Sequence, residues 1–373
     1  MKRIPSLDGF RAISITLVIL AHCRVSEGFP SQFSDYVRHG QIGVTVFFVI
    51  SGFLITTLLL SEEAKNGDIS VRNFYTRRAI RILPVFFVYV LFVSVWQAYE
   101  NIGITKIDII RSLTFTFNFA GVKRSWLLLH FWTLSVEEQF YIIWPTLLIL
   151  FRKDIKFVIY LSVFYSCVSR VIAYKFPAYA GITLAPYFQF SDSIIIGAFG
   201  AVLLFENPQI INLQVFRSLL LKIIALGIVA SFVYFIGYGK MAIIALPFGN
   251  LMISASILFL VFCYLKPSDT FIYKFLNNKV IVHIGMLSYS LYVWQQFFIG
   301  EIPHLWRPFP YNLVMIYCAA LVSYYLLEQP VLKLKKLFIS KRSTADNAQI
   351  LQPIPVAQTS RLMAEQSKVQ IND

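Results

Sequence analysis

Charge is what this sequence has least of. Asp, Glu, Lys and Arg make up 14% of its 373 residues, against 57% hydrophobic residues and a mean hydropathy of +0.67. A soluble fold has no use for that much apolar surface, whereas a helical bundle in lipid does. Acid is scarcer than base: 19 Asp and Glu stand against 33 Lys and Arg, for a formal charge of +14. Such an excess can serve nucleic-acid binding. Here the basic residues cluster beside apolar runs, the pattern of positive-inside topology held by membrane lipids, so no nucleic-acid partner is expected. Cysteine is sparse too. Cys23, Cys167, Cys263 and Cys318 lie far apart in or beside apolar runs, which excludes a disulfide framework and a zinc pattern. They read as packing residues, and no metal is expected. No period of twenty to fifty residues recurs, so a repeat architecture is excluded. No small-residue cleavage site follows the first apolar run, which therefore reads as a retained span.

What is present is a series of apolar windows, each long enough to cross roughly 30 Å of hydrocarbon. They fall near residues 9–24, 42–61, 82–99, 132–151, 156–174, 187–205, 218–237, 241–265, 281–300 and 311–328. The expected fold is all-α: a polytopic membrane bundle of about ten transmembrane helices. With a cytoplasmic N-terminus, roughly twenty Lys and Arg flank the spans inside and roughly nine outside; the opposite orientation inverts the ratio. Both termini are then cytoplasmic. Between spans three and four, residues 100–131 hold a short apolar run, Leu113–Phe119, too short to cross and expected to re-enter or to lie on the surface. A transmembrane domain is expected over residues 1–335. A basic stretch and then a disordered cytoplasmic tail, rich in Gln, Ser, Ala and Pro, are expected over 336–373.

Several spans carry groups that do not belong in hydrocarbon. In the first, Asp8 precedes Arg11 by one turn and His22 follows Arg11 by eleven residues. At about 100° and 1.5 Å per residue, Arg11 and His22 share a face about 16 Å apart. A buried ionisable group costs several kcal/mol unless partnered, so intramembrane charge is a functional signal; a plain anchor with a charged flank is the alternative. The inner end of the third span carries Arg77, Arg78 and Arg81, spaced as neighbours on a helix. Guanidiniums grip phosphate oxygens bidentately, though basic residues also flank inner helix ends for anionic lipid alone. The fourth span carries Glu137 and Glu138, which point about 100° apart and cannot face one partner. Arg170 and Asp192 read as a structural ion pair, and Gly43 with Ser51-Gly52 as close-packing positions. The ninth span bunches hydrogen-bonding side chains in Ser288, Tyr289, Ser290, Tyr292, Gln295 and Gln296. They line a polar cavity or glue helices together. His39, His130, His283 and His304 stand near span ends and read as interfacial.

These stretches together resemble the acyltransferase-3 family of integral-membrane O-acyltransferases, which modify surface polysaccharides and related glycans. The resemblance rests on Leu7–Arg11 with His22, on Phe48–Ile55 around Ser51, and on Arg77, Arg78 and Arg81. It continues through Trp132–Tyr141, with Thr133 at the usual serine position beside Ser135, Glu137 and Tyr141, to Tyr289–Trp294 and Glu328-Gln329-Pro330. Relatives often carry a histidine after the ninth-span tryptophan; this chain has Gln295, to which no proton-transfer role is assigned. The resemblance implies a multi-pass protein of a bacterial cytoplasmic (inner) membrane. It would move an acyl group, acetyl foremost, from cytoplasmic acetyl-CoA or another acyl-CoA to a hydroxyl of a cell-surface glycan or glycolipid precursor, a carbohydrate acceptor. By the same resemblance His22, Arg11 and Glu137 form the catalytic set, and Arg77, Arg78 and Arg81 hold the coenzyme phosphates. Asp8, Ser51, Ser135, Tyr141, Ser288, Tyr289, Tyr292 and Glu328 support them. A secondary transporter or flippase, with Arg11, Glu137 and Asp192 as a charged relay, is the competing class. An assembly scaffold is the third.

Overall fold

The computed structural model describes residues 4–37, 39–119, 125–176, 185–237, 239, 241–300 and 307–338. The expected tail beyond Phe338, and His304, lie outside the described residues. Helices follow the apolar windows: α1 (Pro5–Cys23), short α2 (Ser31–Val37), α3 (Gln41–Asn66), α4 (Val71–Glu100), short α5 (Lys106–Leu113) and α6 (Trp126–Leu129), then α7 (Phe131–Leu150) and α8 (Ile155–Lys175). The series continues with α9 (Ala185–Glu206), α10 (Leu219–Gly237), α11 (Ala242–Cys263), short α12 (Phe271–Leu276), α13 (Lys279–Phe298) and α14 (Tyr311–Ser323). A π-helical turn at Tyr324–Glu328 leads into α15 (Gln329–Phe338). In hydrocarbon every backbone N–H and C=O must be satisfied within its own segment, so β-branched runs that favour strands in water become helix here. No strand occurs among the described residues.

Seven of these helices are long and apolar enough to cross a membrane by length and composition among the described residues. Two that fall below that measure, α7 and α13, carry Glu137, Glu138 and the Ser288–Gln296 stripe. Their polarity is turned inward, and each buries half of its twenty residues. By contrast α10 is almost entirely uncovered, with Leu219, Leu220, Ile223, Ile224 and Leu226 exposed, as a lipid-facing helix should be. The protein is a multi-pass, all-α membrane protein.

Lipid gives helices no hydrophobic reason to associate, so close approach and buried hydrogen bonds do the work. Helix α3 runs against α9 where Gly52 meets the Ile194 carbonyl and Gly197 meets the Val49 carbonyl; a Cβ at either glycine would overlap backbone. Helix α1 approaches α13 in the same way, Gly285 lying against the backbone of Asp8. The Ser14 hydroxyl donates to the Gly43 carbonyl and ties α1 to α3. The expected pair Arg170–Asp192 forms at 2.7 Å, and Arg170 also donates to the Pro247 carbonyl at 2.7 Å. Asn250 completes that network on Asp192 and Ser193, joining α8, α9 and α11.

The short apolar run after α5 is folded inward. The Phe117 N–H donates to Ser135 Oγ at 3.1 Å, and Gln139 donates to the Phe115 carbonyl at 2.7 Å and pairs with Asn118. Phe117 is fully buried.

Candidate active site

On α1, Arg11 donates to Asp8 at 3.3 Å, as the one-turn spacing requires. Arg11 opens on a cavity between α1, α3, α4, α7 and α13. Helix α4 adds Arg78 and Arg81, and Arg81 is exposed at the mouth. Helix α7 contributes Thr133, Glu137 and Tyr141, and α3 contributes Phe47, Phe48 and Ser51. Helix α13 lends Ser288, Tyr289 and Tyr292. Inside, Ser51 Oγ and Tyr141 OH are 2.9 Å apart, the Arg78 guanidinium stands 4.9 Å over the Tyr141 ring, and Tyr289 donates to the Ile82 carbonyl at 2.7 Å. Three guanidiniums against the carboxylates of Asp8 and Glu137 leave the mouth net positive. In a low-dielectric wall that field favours an anion, and guanidinium geometry favours phosphate or carboxylate.

Three expected site residues are placed elsewhere. Arg77 points away from the cavity into an ion pair with Glu62 at 2.5 Å, while Glu62 also accepts from the Ser70 N–H, so Arg77 staples the end of α3 to the start of α4. Ser135 holds the inward-folded segment at Phe117. Glu328, delivered by the π turn, accepts from Ser290 at 3.2 Å beside Ser323. Ser290 therefore faces α14 and not the cavity.

His22 is likewise not a cavity-lining residue. The cavity stops at Tyr292 and Thr133. The Tyr292 hydroxyl donates to the His130 carbonyl at 2.8 Å, Thr133 donates to the same carbonyl at 3.0 Å, and the two hydroxyls meet each other. Past this collar, half-buried His22 places Nδ1 3.2 Å from Gln295 Oε1 and takes the edge of Trp126 at 5.7 Å. Gln295 lies three residues after Tyr292, the first turn of α13 beyond the cavity. The side chains at Ser288, Tyr292 and Gln295 follow an i, i+4, i+7 stripe from the cavity to His22.

Sequence reasoning missed Gln295 as a partner of His22, although that stripe was a readable signal. It also misplaced His130, read as interfacial. The residue is 2% exposed, packed between the rings of Tyr89, Phe131 and Tyr292. Its position at a span end gave no hint, because burial there comes from α4 and α13. Trp126, whose Nε1 donates to the Ile299 carbonyl at 2.7 Å, is set against His22 by α6, a one-turn helix below the resolution of any periodicity argument.

A sequence profile described as an acyltransferase domain matches residues 4–328. The chain is 31% identical over 315 residues to a provisionally named O-acetyltransferase of Staphylococcus aureus (strain COL), covering 79% of this chain and 50% of that protein. It is 26% identical to a peptidoglycan O-acetyltransferase OatA of Listeria monocytogenes serovar 1/2a, covering 89% and 56%. It is 27% identical to an O-acetyltransferase OatA of Staphylococcus aureus (strain NCTC 8325), covering 89% and 58%. The chain thus spans about half the length of these relatives. No solved structure gives a significant match.

Proposed function

Since the chain belongs to the acyltransferase-3 family, we propose that it transfers an acyl group, acetyl foremost, from cytoplasmic acyl-coenzyme A to a hydroxyl of a membrane-linked or surface glycan. One observation carries this reading: a cavity with three arginines at its mouth ends one helical turn short of an oriented histidine. By the lysine and arginine count the arginine end faces the cytoplasm. Arg11, Arg78 and Arg81 hold the coenzyme phosphates there. The pantetheine arm threads along Ser51, Tyr141 and Ser288, where hydroxyls replace the water that its amides give up. The thioester reaches the collar of Tyr292 and Thr133.

The chemistry is proton-coupled acyl transfer. His22 Nε2 takes the proton of the acceptor hydroxyl as its oxygen attacks the thioester carbon. The carbon–sulfur bond then breaks, and the departing coenzyme thiolate takes the proton back from the imidazolium. Glu137 sits among the arginines, where its carboxylate offsets their mutual repulsion and orients Arg11 and Arg78 as the donor enters. The buried polar network of α8, α9 and α11 speaks against a transport relay. Asp192 is closed on Arg170 and Asn250, on helices other than those carrying Arg11 and Glu137.

The test is glycan analysis in cells producing the chain or its His22→Ala variant. Base-labile acyl ester on the carbohydrate should fall to background in the variant, a loss on the order of 10²–10⁴-fold for removal of a general base. Membrane insertion should be unchanged. Full acylation by His22→Ala overturns the assignment.

A further inference from the structure

Gln295 does more than pack. Its side chain is 0% exposed, and its Oε1 accepts from His22 Nδ1. An amide oxygen has only lone pairs to offer, so the proton in this bond belongs to Nδ1 and the imidazole lone pair resides on Nε2. The other end of the same amide, Nε2, is buried and meets no hydrogen-bond partner among the described residues. An N–H buried without an acceptor costs free energy that a second hydrogen bond would recover. This orphan donor lies two bonds from the oxygen that orients the base.

We propose that Gln295 belongs to the transfer machinery itself. Its Oε1 fixes the Nδ1–H tautomer of His22, and its Nε2–H donates to the thioester carbonyl oxygen as that oxygen becomes an oxyanion. This rests on the acyl-transfer reading and adds a residue to it. In the step, the acceptor O–H proton passes to His22 Nε2 and the new carbon–oxygen bond pushes its electron pair onto the carbonyl oxygen, where the amide N–H meets it. The pair returns as the carbon–sulfur bond breaks, and the thiolate takes the proton from the imidazolium. A neutral amide serves both ends at once: it accepts from the base and donates to the intermediate. Glutamate in its place could only accept, and leucine could do neither.

Among the described residues, the other charged or titratable groups around His22 are Arg24 at the end of its own helix and His130 from the junction of α6 and α7, with the Trp126 ring on its edge. A carboxylate at position 295 would favour the imidazolium. Because transfer requires neutral imidazole, the acid limb of the rate profile should then move to higher pH.

Inside-out vesicles from cells producing the full chain are given radiolabelled acetyl-CoA, with pH set equal on both sides by ionophore, and base-labile label in endogenous carbohydrate is counted. Q295L should lose 10²-fold or more in kcat, the scale of removing one oxyanion donor, with KM for acetyl-CoA within threefold. Q295E should lose about tenfold near neutral pH, with the acid limb displaced upward by about one pH unit or more. Activity of Q295L within threefold of the parent, or a Q295E acid limb that does not move, overturns the proposal. If Q295L proves unable to bind acetyl-CoA, the position of the Q295E limb alone decides. A parent chain that labels no carbohydrate would instead overturn the acyl-transfer reading on which the proposal stands.

Discussion

Arg77 and Arg78 are neighbours in sequence and opposites in use. Both belong to one basic cluster, and no property of the residues tells them apart. On α4 the 100° between them sends Arg78 over the Tyr141 ring in the cavity and Arg77 to Glu62. The two should separate cleanly in kinetics. Lysine keeps the topology signal and loses the bidentate fork. Arg78→Lys and Arg81→Lys are expected to raise the KM for acetyl-CoA about tenfold, the equivalent of about 1.4 kcal/mol. Arg77→Lys should stay within twofold. Steady-state transfer in vesicles measures all three, and a donor defect confined to Arg77→Lys would remove the cavity from the donor path.

At the scale of the element, glycine decides how near α1, α3, α9 and α13 can come. Helix α13 reaches its place against α1 because Gly285 lets the Asp8 backbone in, and Asp8 in turn holds Arg11. Gly285→Val should therefore act at a distance, raising the KM for acetyl-CoA severalfold by shifting the Asp8–Arg11 pair. Gly52→Val strikes the α3–α9 crossing at the Ile194 carbonyl, away from the donor mouth. It should lower stability by about 1–3 kcal/mol, typical of overpacking a tight contact. Thermal unfolding in detergent, run beside donor titration, distinguishes the two. A Gly285→Val chain with unaltered donor affinity would show that α1 does not depend on α13 for the aim of Arg11. The π turn before Glu328 is an element-scale device of the same kind: it turns a carboxylate inward to Ser290, where a plain α-helix would have aimed it differently.

For the whole molecule, the question is where a polar passage runs through an apolar bundle. Single cysteines at Glu137, Ser288 and Ser290, in a background lacking Cys23, Cys167, Cys263 and Cys318, should divide two to one. Glu137→Cys and Ser288→Cys face the cavity and should react with a small water-soluble thiol reagent, with acetyl-CoA protecting them. Ser290→Cys points at Ser323 and Glu328 and should not react. Labelling at Ser290 with silence at Ser288 would mean that α13 presents its other face.

Apolar length, the bias of basic residues and the odd charge in a hydrocarbon span are properties of a linear chain, because lipid allows only a helix and charges a free-energy cost for every buried ion. For that reason the all-α multi-pass fold, the helices around residues 5–23, 41–66 and 131–150, the Asp8–Arg11 pair and the Arg170–Asp192 pair were legible in the sequence. What faces what across helices was not. That Arg77 leaves the cavity, that Ser290 serves α14 and Ser135 the Phe117 segment, and that His130 is buried were fixed by the rotation of each helix against its neighbours. So was the meeting of His22 with Gln295, residues 273 positions apart. A helix turned by one residue carries each side chain through 100° at no change in its hydropathy. Only the packing of glycine against carbonyl and ring against ring sets that angle, and with it the site.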